Sequence, residues 1–255
     1  MSRNDWKHSL KRLSRQGGLL PLVRRLWRII RWLSDKRFRL EEGQQKRGFD
    51  LFCQGQGHLF RHRPSSGVAD TRTMLIVNTG RQALLVELAL VKACELAGFR
   101  AAVLAEYDPW TERYYNYCGV QPVHFWEDFI EASETDVAAS MLHSVRTFEQ
   151  FIGLEYQGVR VGKYAASTAL RQLRAGRLDL CSTATRQALL PFLSHAIQCA
   201  QASRRVVDRL KPALALTIDV GYSPRGELYD QCLAAGIDTI TCNAAHKYNT
   251  LMFKR

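Results

Sequence analysis

The stretch "TMLIVNTGRQALLVELALVKACELAGFRAAVLAEYD", residues 73–108, decides the fold. "TMLIVNTG", residues 73–80, is a short apolar run closed by Asn-Thr-Gly, which reads as a buried strand. "RQALLVELALVKACELAGF" reads as a helix, with Gly98 where a C-cap glycine belongs. "RAAVLAEYD", residues 100–108, is a second buried strand. Strand, helix, strand in that order forms a crossover unit, so the two strands run parallel.

Downstream the alternation continues. "PWTERYYNYCGV" reads as a short helix and "QPVHFW" as a third strand. Residues 135–210 hold no strand pattern; three helices are expected there, in "TDVAASMLHSVRTFEQFIG", "YAASTALRQLRAG" and "TATRQALLPFLSHAIQCAQASRRVVDRLK". "ALALTIDV" is the fourth strand, "GELYDQCLAAG" a helix and "DTITCN" the fifth strand. This predicts an α/β fold: a doubly wound, mainly parallel, five-stranded Rossmann-like sheet over residues 73–255, with an extra helical layer. Right-handed crossovers and the long excursion after the third strand give the order 3-2-1-4-5. The order reverses between the first and fourth strands, where open α/β sheets bind ligands at the strands' carboxyl ends. "NTGRQ" and "DVGYSPRG" are therefore expected side by side.

Upstream the chain changes character. Residues 1–47 carry fourteen Lys and Arg against four acidic residues, a net +10 of the total +12. The remaining 208 residues are nearly neutral, so the basicity belongs to a tail. "LLPLVRRLWRIIRWL", residues 19–33, places Leu19, Leu22, Val23, Leu26, Ile29, Ile30 and Leu33 on one helical face. Arg24, Arg25, Arg28 and Arg31 lie opposite, and Trp27 and Trp32 flank the stripe. That is the pattern of a basic amphipathic helix in the headgroup plane of an anionic membrane. A helix packed on the chain's own domain is the close competitor, a partner protein comes third and nucleic acid last. Arginines interrupt the apolar run too often for a spanning helix or a cleavable signal. Residues 48–72 read as a linker.

The seven cysteines are scattered, with no CxxC pair, and read as small buried hydrophobes of a reducing compartment. No clustered carboxylates or ligand spacing imply a metal, and "NTGRQ" has neither the GxGxxG nor the P-loop pattern, so no cofactor is expected. Asn78, Thr79, Gly80 and Arg81 open a helix whose first amides suit an anion or a hydroxyl group. Glu106 and Asp108 suit ribose hydroxyls, or are plain solvated carboxylates. Asp219 is either a base that deprotonates a hydroxyl or a turn former. Tyr222 suits stacking on a sugar; Ser223 suits hydrogen bonding to one, or capping the next helix. His246 and Lys247 suit a phosphate or a carboxylate.

"YQGVRVGKYAASTALRQLRAGRLDL" followed by "RLKPALALTIDVGYSPRGELYDQCLAAGIDTITCNAAHKYNTLMFKR" resembles the N-terminal half of bacterial GT-B glycosyltransferases of capsule and other surface-polysaccharide synthesis. The matching positions are Gly158, Gly162, Lys211, Pro212, Asp219, Gly221, Tyr222, Pro224 and Gly226, and the likeness covers residues 73–255. The resemblance implies an acceptor-binding half-cleft, with Asp219 or His246 as base. It implies Asn78, Thr79, Gly80, Arg81, Tyr222 and Ser223 around a sugar or lipid-linked acceptor. In that architecture a second domain binds the nucleotide sugar. This sequence holds no second set of strand–helix units, so the chain is expected to be a fragment or one half of a two-part enzyme. The rival expectation is a non-catalytic glycan-binding or scaffold protein at the membrane surface. A nicotinamide oxidoreductase is disfavoured by the absent glycine pattern.

Overall fold

The computed structural model of the chain describes Leu26, Ile30 and residues 33–61, 72–80, 83–131, 135–244 and 251–255. Two compact units divide the chain, one within Met1–Gln56 and one over Gly57–Arg255.

In the first unit, α1 spans Lys36–Gln54, and Asp35 caps it by accepting a hydrogen bond from the Phe38 amide. None of its residues is fully buried. Helix α2, Gly57–Arg61, begins the second unit. The region expected to be a linker therefore starts as helix; its remainder, residues 62–71, lies outside the described residues.

The second unit is α/β. Its strands are β1 (Thr73–Val77), β2 (Arg100–Ala105), β3 (Val123–Phe125), β4 (Leu214–Ile218), β5 (Asp238–Ala244) and β6 (Leu251–Lys254). They form one sheet in the order 3-2-1-4-5-6, parallel throughout except for β6, which runs antiparallel to β5. The sheet thus has six strands and not the five expected. "LMFK" escapes the sequence reading because four residues carry too little periodicity to separate a hairpin return from a loop. All five residues of β1 are buried, as a central parallel strand with both faces covered requires.

Helix α3 (Leu84–Leu96) packs on β1 and β2. Helix α4 (Pro109–Tyr117) starts at Asp108, whose carboxylate accepts from the amides of Trp110 and Thr111, with Pro109 in the first turn. Leu75 and Val77 of β1, Leu104 of β2 and Ala215 of β4 sit at alternate positions, so they share a face. They pack against Ala202, Val206 and Val207 of α8 (Thr183–Leu210) and Leu228 and Cys232 of α9 (Arg225–Ala234).

The helical layer is α5 (Thr135–His143), α6 (Phe148–Ile152), α7 (Val161–Leu173) and the first half of α8. The single helix expected over 135–153 is two. Thr147 accepts from the Gln150 amide and Gln150 returns a bond to the Thr147 amide, a capping box that starts a new helix. Leu189, Leu193, Ala196, Ile197 and Ala200 of α8 belong to this layer's core, while Ala202, Val206 and Val207 belong to the sheet's. One helix of 28 residues therefore serves two cores. It ends where Lys211 adopts a left-handed conformation just before Pro212.

Candidate functional site at the carboxyl edge of the sheet

β1 and β4 are direct neighbours, with Val77 beside Thr217. Asn78 and Asp219 therefore lie just beyond adjacent strand ends, on the same edge of the sheet, although 141 positions separate them.

The loop after β1 is tied down from below. Glu87 of α3 is fully buried and accepts from four donors: Asn78 Nδ2 at 2.5 Å, Tyr115 Oη at 2.6 Å, and the amide and hydroxyl of Thr79 at 3.0 and 3.2 Å. A buried carboxylate without such donors would be very costly, so the network fixes the loop's shape. The Gly80 amide donates to Asn78 Oδ1, completing that side chain's bonding. Gly80 has φ 111°, which an L side chain rarely adopts. Asn78, the Thr79 hydroxyl and the amides of Thr79 and Gly80 are thus committed inward; what the half-buried loop offers a ligand is its backbone carbonyls. Burial beside Glu87 raises the Tyr115 phenol well above its usual range, so it stays a donor.

The loop after β4 is more open. Asp219 is left-handed, with φ 59°, and its Oδ1 accepts from the Gly221 amide at 3.2 Å, an Asx-type turn. Its side chain is 42% exposed and lies 4.0 Å from the Arg171 guanidinium. The same guanidinium sits over the Tyr222 ring, 4.7 Å from its centroid. Asp219, Tyr222 and the exposed Arg171 therefore form one group at the edge. The turn-forming role of Asp219 is present in the geometry.

Ser223 does not cap α9 in the usual way, for Pro224 holds the cap position. Its amide donates to Thr168 Oγ1 at 3.2 Å, and its hydroxyl donates to Glu227 Oε1 at 2.5 Å. Glu227 is fully buried in the first turn of α9. Burial pushes its carboxyl up to about 8, against the opposing hydrogen bond from Ser223. Its second oxygen, Oε2, has no hydrogen-bond partner among the described residues, and neither has the buried Thr217 Oγ1 at the end of β4.

Helix α8 brings two further groups. His195 and Cys199 lie one turn apart, with His195 Nε2 3.5 Å from Cys199 Sγ. Burial pushes the Cys199 thiol well up, helped by the charges of Glu227 and Glu106, so it stays a thiol. Surrounding protein lowers the His195 imidazole and the Glu106 carboxylate partly opposes that. Glu106 itself stays exposed just past β2, whereas Asp108 serves as the cap of α4.

Several motif residues are explained by packing. A Cβ on Gly226 would lie 2.2 Å from two carbons of the Tyr164 ring, and one on Gly162 would lie 1.8 Å from the Phe151 carbonyl oxygen. Gly158 has φ 80°. The Tyr164 hydroxyl donates to Asp230 Oδ1 at 2.8 Å, and Arg160 grips the same carboxylate through Nε at 3.0 Å and a terminal nitrogen at 2.6 Å. Burial alone would raise the Asp230 carboxyl; the bonds from Arg160 and Tyr164 outweigh it and hold it below the usual range. This clamp fixes α9, and with it Glu227, against α7.

Arg81 and His246, expected at the site, lie outside the described residues, as do Arg24, Arg25, Trp27, Arg28, Arg31 and Trp32 of the tail. Glu87, Arg171, His195, Thr217 and Glu227 were not singled out by the sequence; the signal that points to Glu227 is its place one turn after Ser223. Among the described residues no group of three or more His, Cys, Asp or Glu side chains could hold a metal ion. Comparison with protein-family models, with curated proteins and with solved structures finds no match to this chain.

Proposed function

We propose that the chain binds a hydroxyl-rich acceptor at the carboxyl edge of β1 and β4, as the acceptor-side half of a GT-B-type glycosyltransferase of surface-polysaccharide or glycoconjugate synthesis. The observation that carries this reading is the direct pairing of β1 with β4, which makes their two following loops neighbours at the place where such sheets take ligands. The chemistry there supports it: half-exposed Tyr222, exposed Arg171, Asp219, the Ser223 hydroxyl and the backbone carbonyls of Thr79 and Gly80 suit polyol recognition. Asp219, tied to Gly221 and beside Arg171, positions the loop.

Transfer needs donor and acceptor held together away from water, an orientation effect worth about 7–11 kcal/mol. In this reading a second domain, in cis or in trans, supplies the nucleotide sugar. Calorimetry with methyl hexopyranosides and with nucleotide sugars tests the division of labour. Millimolar or tighter binding of glycosides, with weak or absent binding of nucleotide sugars, is expected. Tight nucleotide-sugar binding, or turnover by residues 1–255 alone, overturns it.

In this reading the basic tail docks this half on the cytoplasmic face of an anionic membrane. No helix among the described residues is long and apolar enough to cross one. Leu26, Ile30 and Leu33 are helical and 59%, 47% and 65% exposed, which leaves that stripe available to a surface. Sedimentation with phosphatidylglycerol vesicles at low salt tests this: wild type pellets, and Arg24, Arg25, Arg28 and Arg31→Glu stays in solution. Equal behaviour of the two proteins refutes it.

A further inference from the structure

We propose that Ser223 and Glu227 form a proton-accepting relay for one hydroxyl group of the ligand bound at the carboxyl edge. It rests on the acceptor reading above and adds the group that takes the proton. Three observations carry it. Ser223 is half-buried in the loop after β4, and its hydroxyl already donates to Glu227 Oε1. With that proton committed inward, the lone pairs of Ser223 Oγ are left for an incoming hydroxyl to donate to. Glu227 is fully buried, and among the described residues its Oε2 is unpartnered and no cation pairs with it. Third, the clamp of Arg160 and Tyr164 on Asp230 holds α9 in place and consumes the only other buried carboxylate of that helix.

The proton balance is closed. The ligand's O–H bond breaks as its oxygen bonds to the anomeric carbon of a nucleotide-diphosphate sugar. That proton passes to Ser223 Oγ, whose own proton passes to Glu227 Oε1. The nucleoside diphosphate leaves with the electron pair of its bond to carbon. A serine nucleophile is a poorer use of the same pair, because the nearby amides are engaged: Gly221 N–H donates to Asp219, Ser223 N–H to Thr168 and Gly226 N–H to the Tyr222 carbonyl. None of these three amides remains to stabilise an oxyanion.

The groups around Glu227 are Asp230 on its own helix, Tyr164 on α7 and Cys199 on α8. His195 lies one turn from Cys199, and Glu106 stands at the end of β2. Burial, and after it the Asp230 carboxylate, disfavours ionisation of Glu227, the Tyr164 phenol and the Cys199 thiol stay protonated to high pH, and His195 is neutral above its lowered range. Glu227 is therefore the group of this cluster that titrates near pH 8.

A hydroxyl donating to Ser223 favours the Glu227 carboxylate, so the anionic protein binds better. With the free carboxyl at about 8, affinity for a methyl hexopyranoside rises about tenfold from pH 7 to pH 9. The test titrates the full chain with a panel of methyl hexopyranosides at both pH values and follows the Glu227 carboxyl by carbon-13 NMR, which needs no variant. Expected are that rise in affinity, a fall in the Glu227 midpoint on saturation, and a flat pH profile in Glu227→Gln and Ser223→Ala. Sugar binding with an unmoved Glu227 midpoint and an equal pH profile in Glu227→Gln overturns the relay and leaves the site. Absence of binding by every glycoside overturns both.

Discussion

Replacing Glu227 by glutamine tests the burial of this carboxyl without any ligand. Glutamine has nearly the shape of the protonated acid and cannot ionise. In the folded chain burial holds the Glu227 carboxyl protonated up to about 8, whereas in the unfolded chain it ionises near 4.5. Below pH 4.5 both states carry the proton and folding loses nothing. As pH rises, the unfolded state ionises first, so wild type is destabilised progressively until the folded carboxyl also ionises. The slope is about 1.4 kcal/mol per pH unit, a total of about 4–5 kcal/mol, all of it between the two midpoints. Urea unfolding of wild type and Glu227→Gln at pH 5, 6, 7 and 8 reads the difference. At pH 5 the variant is equal or less stable, because the Ser223 hydroxyl exchanges a carboxyl oxygen for an amide. By pH 8 it is the more stable protein by several kcal/mol. The other titrating groups occur in both proteins and largely cancel. A stability difference that stays constant from pH 5 to pH 8 refutes the reasoning, for it would mean that Glu227 is ionised throughout and solvated.

Glu87→Ala leaves four donors without their acceptor and should cost at least about 2–4 kcal/mol, read as a lower urea midpoint. Gly226→Ala forces a methyl group into the Tyr164 ring; a loss of about 1–3 kcal/mol is expected, and Tyr164→Leu in the same chain should recover part of it. A fully additive double variant would show that the ring is not the obstacle. Asp230→Ala frees Arg160 and the Tyr164 hydroxyl together; with Arg160 44% exposed and rehydrated, about 1–3 kcal/mol is expected, and Arg160→Ala after it should cost little more.

The parallel core was legible because its strands are contiguous apolar runs with helices between them, and the reversal of order follows from right-handed crossovers together with the long excursion after the third strand. β1, β2 and β4 lie within "TMLIVNTG", "RAAVLAEYD" and "ALALTIDV", each shorter than expected, and β5 runs one residue past "DTITCN". What escaped was set by partners far away in sequence. Glu87 sits in an apolar helical run, and only the fold brings Asn78 and Tyr115 to it. Arg160 and Asp230 are 70 residues apart, and neither carries a local signal. The pair that sequence could have offered is Ser223 with Glu227, four residues apart across a turn, but that spacing reads equally as a helix start. The break between α5 and α6 was hidden because the capping box of Thr147 and Gln150 lies within an otherwise continuous helical pattern.

The helix that serves two cores has a consequence for how the second unit opens. Melting the helical layer alone would strip one half of α8 while the other half stays packed on the sheet. Breaking α8 in its middle forfeits backbone bonds without releasing a free segment, so partial opening is penalised from both sides. The layer and the sheet should therefore exchange their slowest amide protons as one cooperative block. Amides around Ile197, Ala200 and Ser203 should rank with those of β1, while α1, with no buried residue, should exchange far sooner.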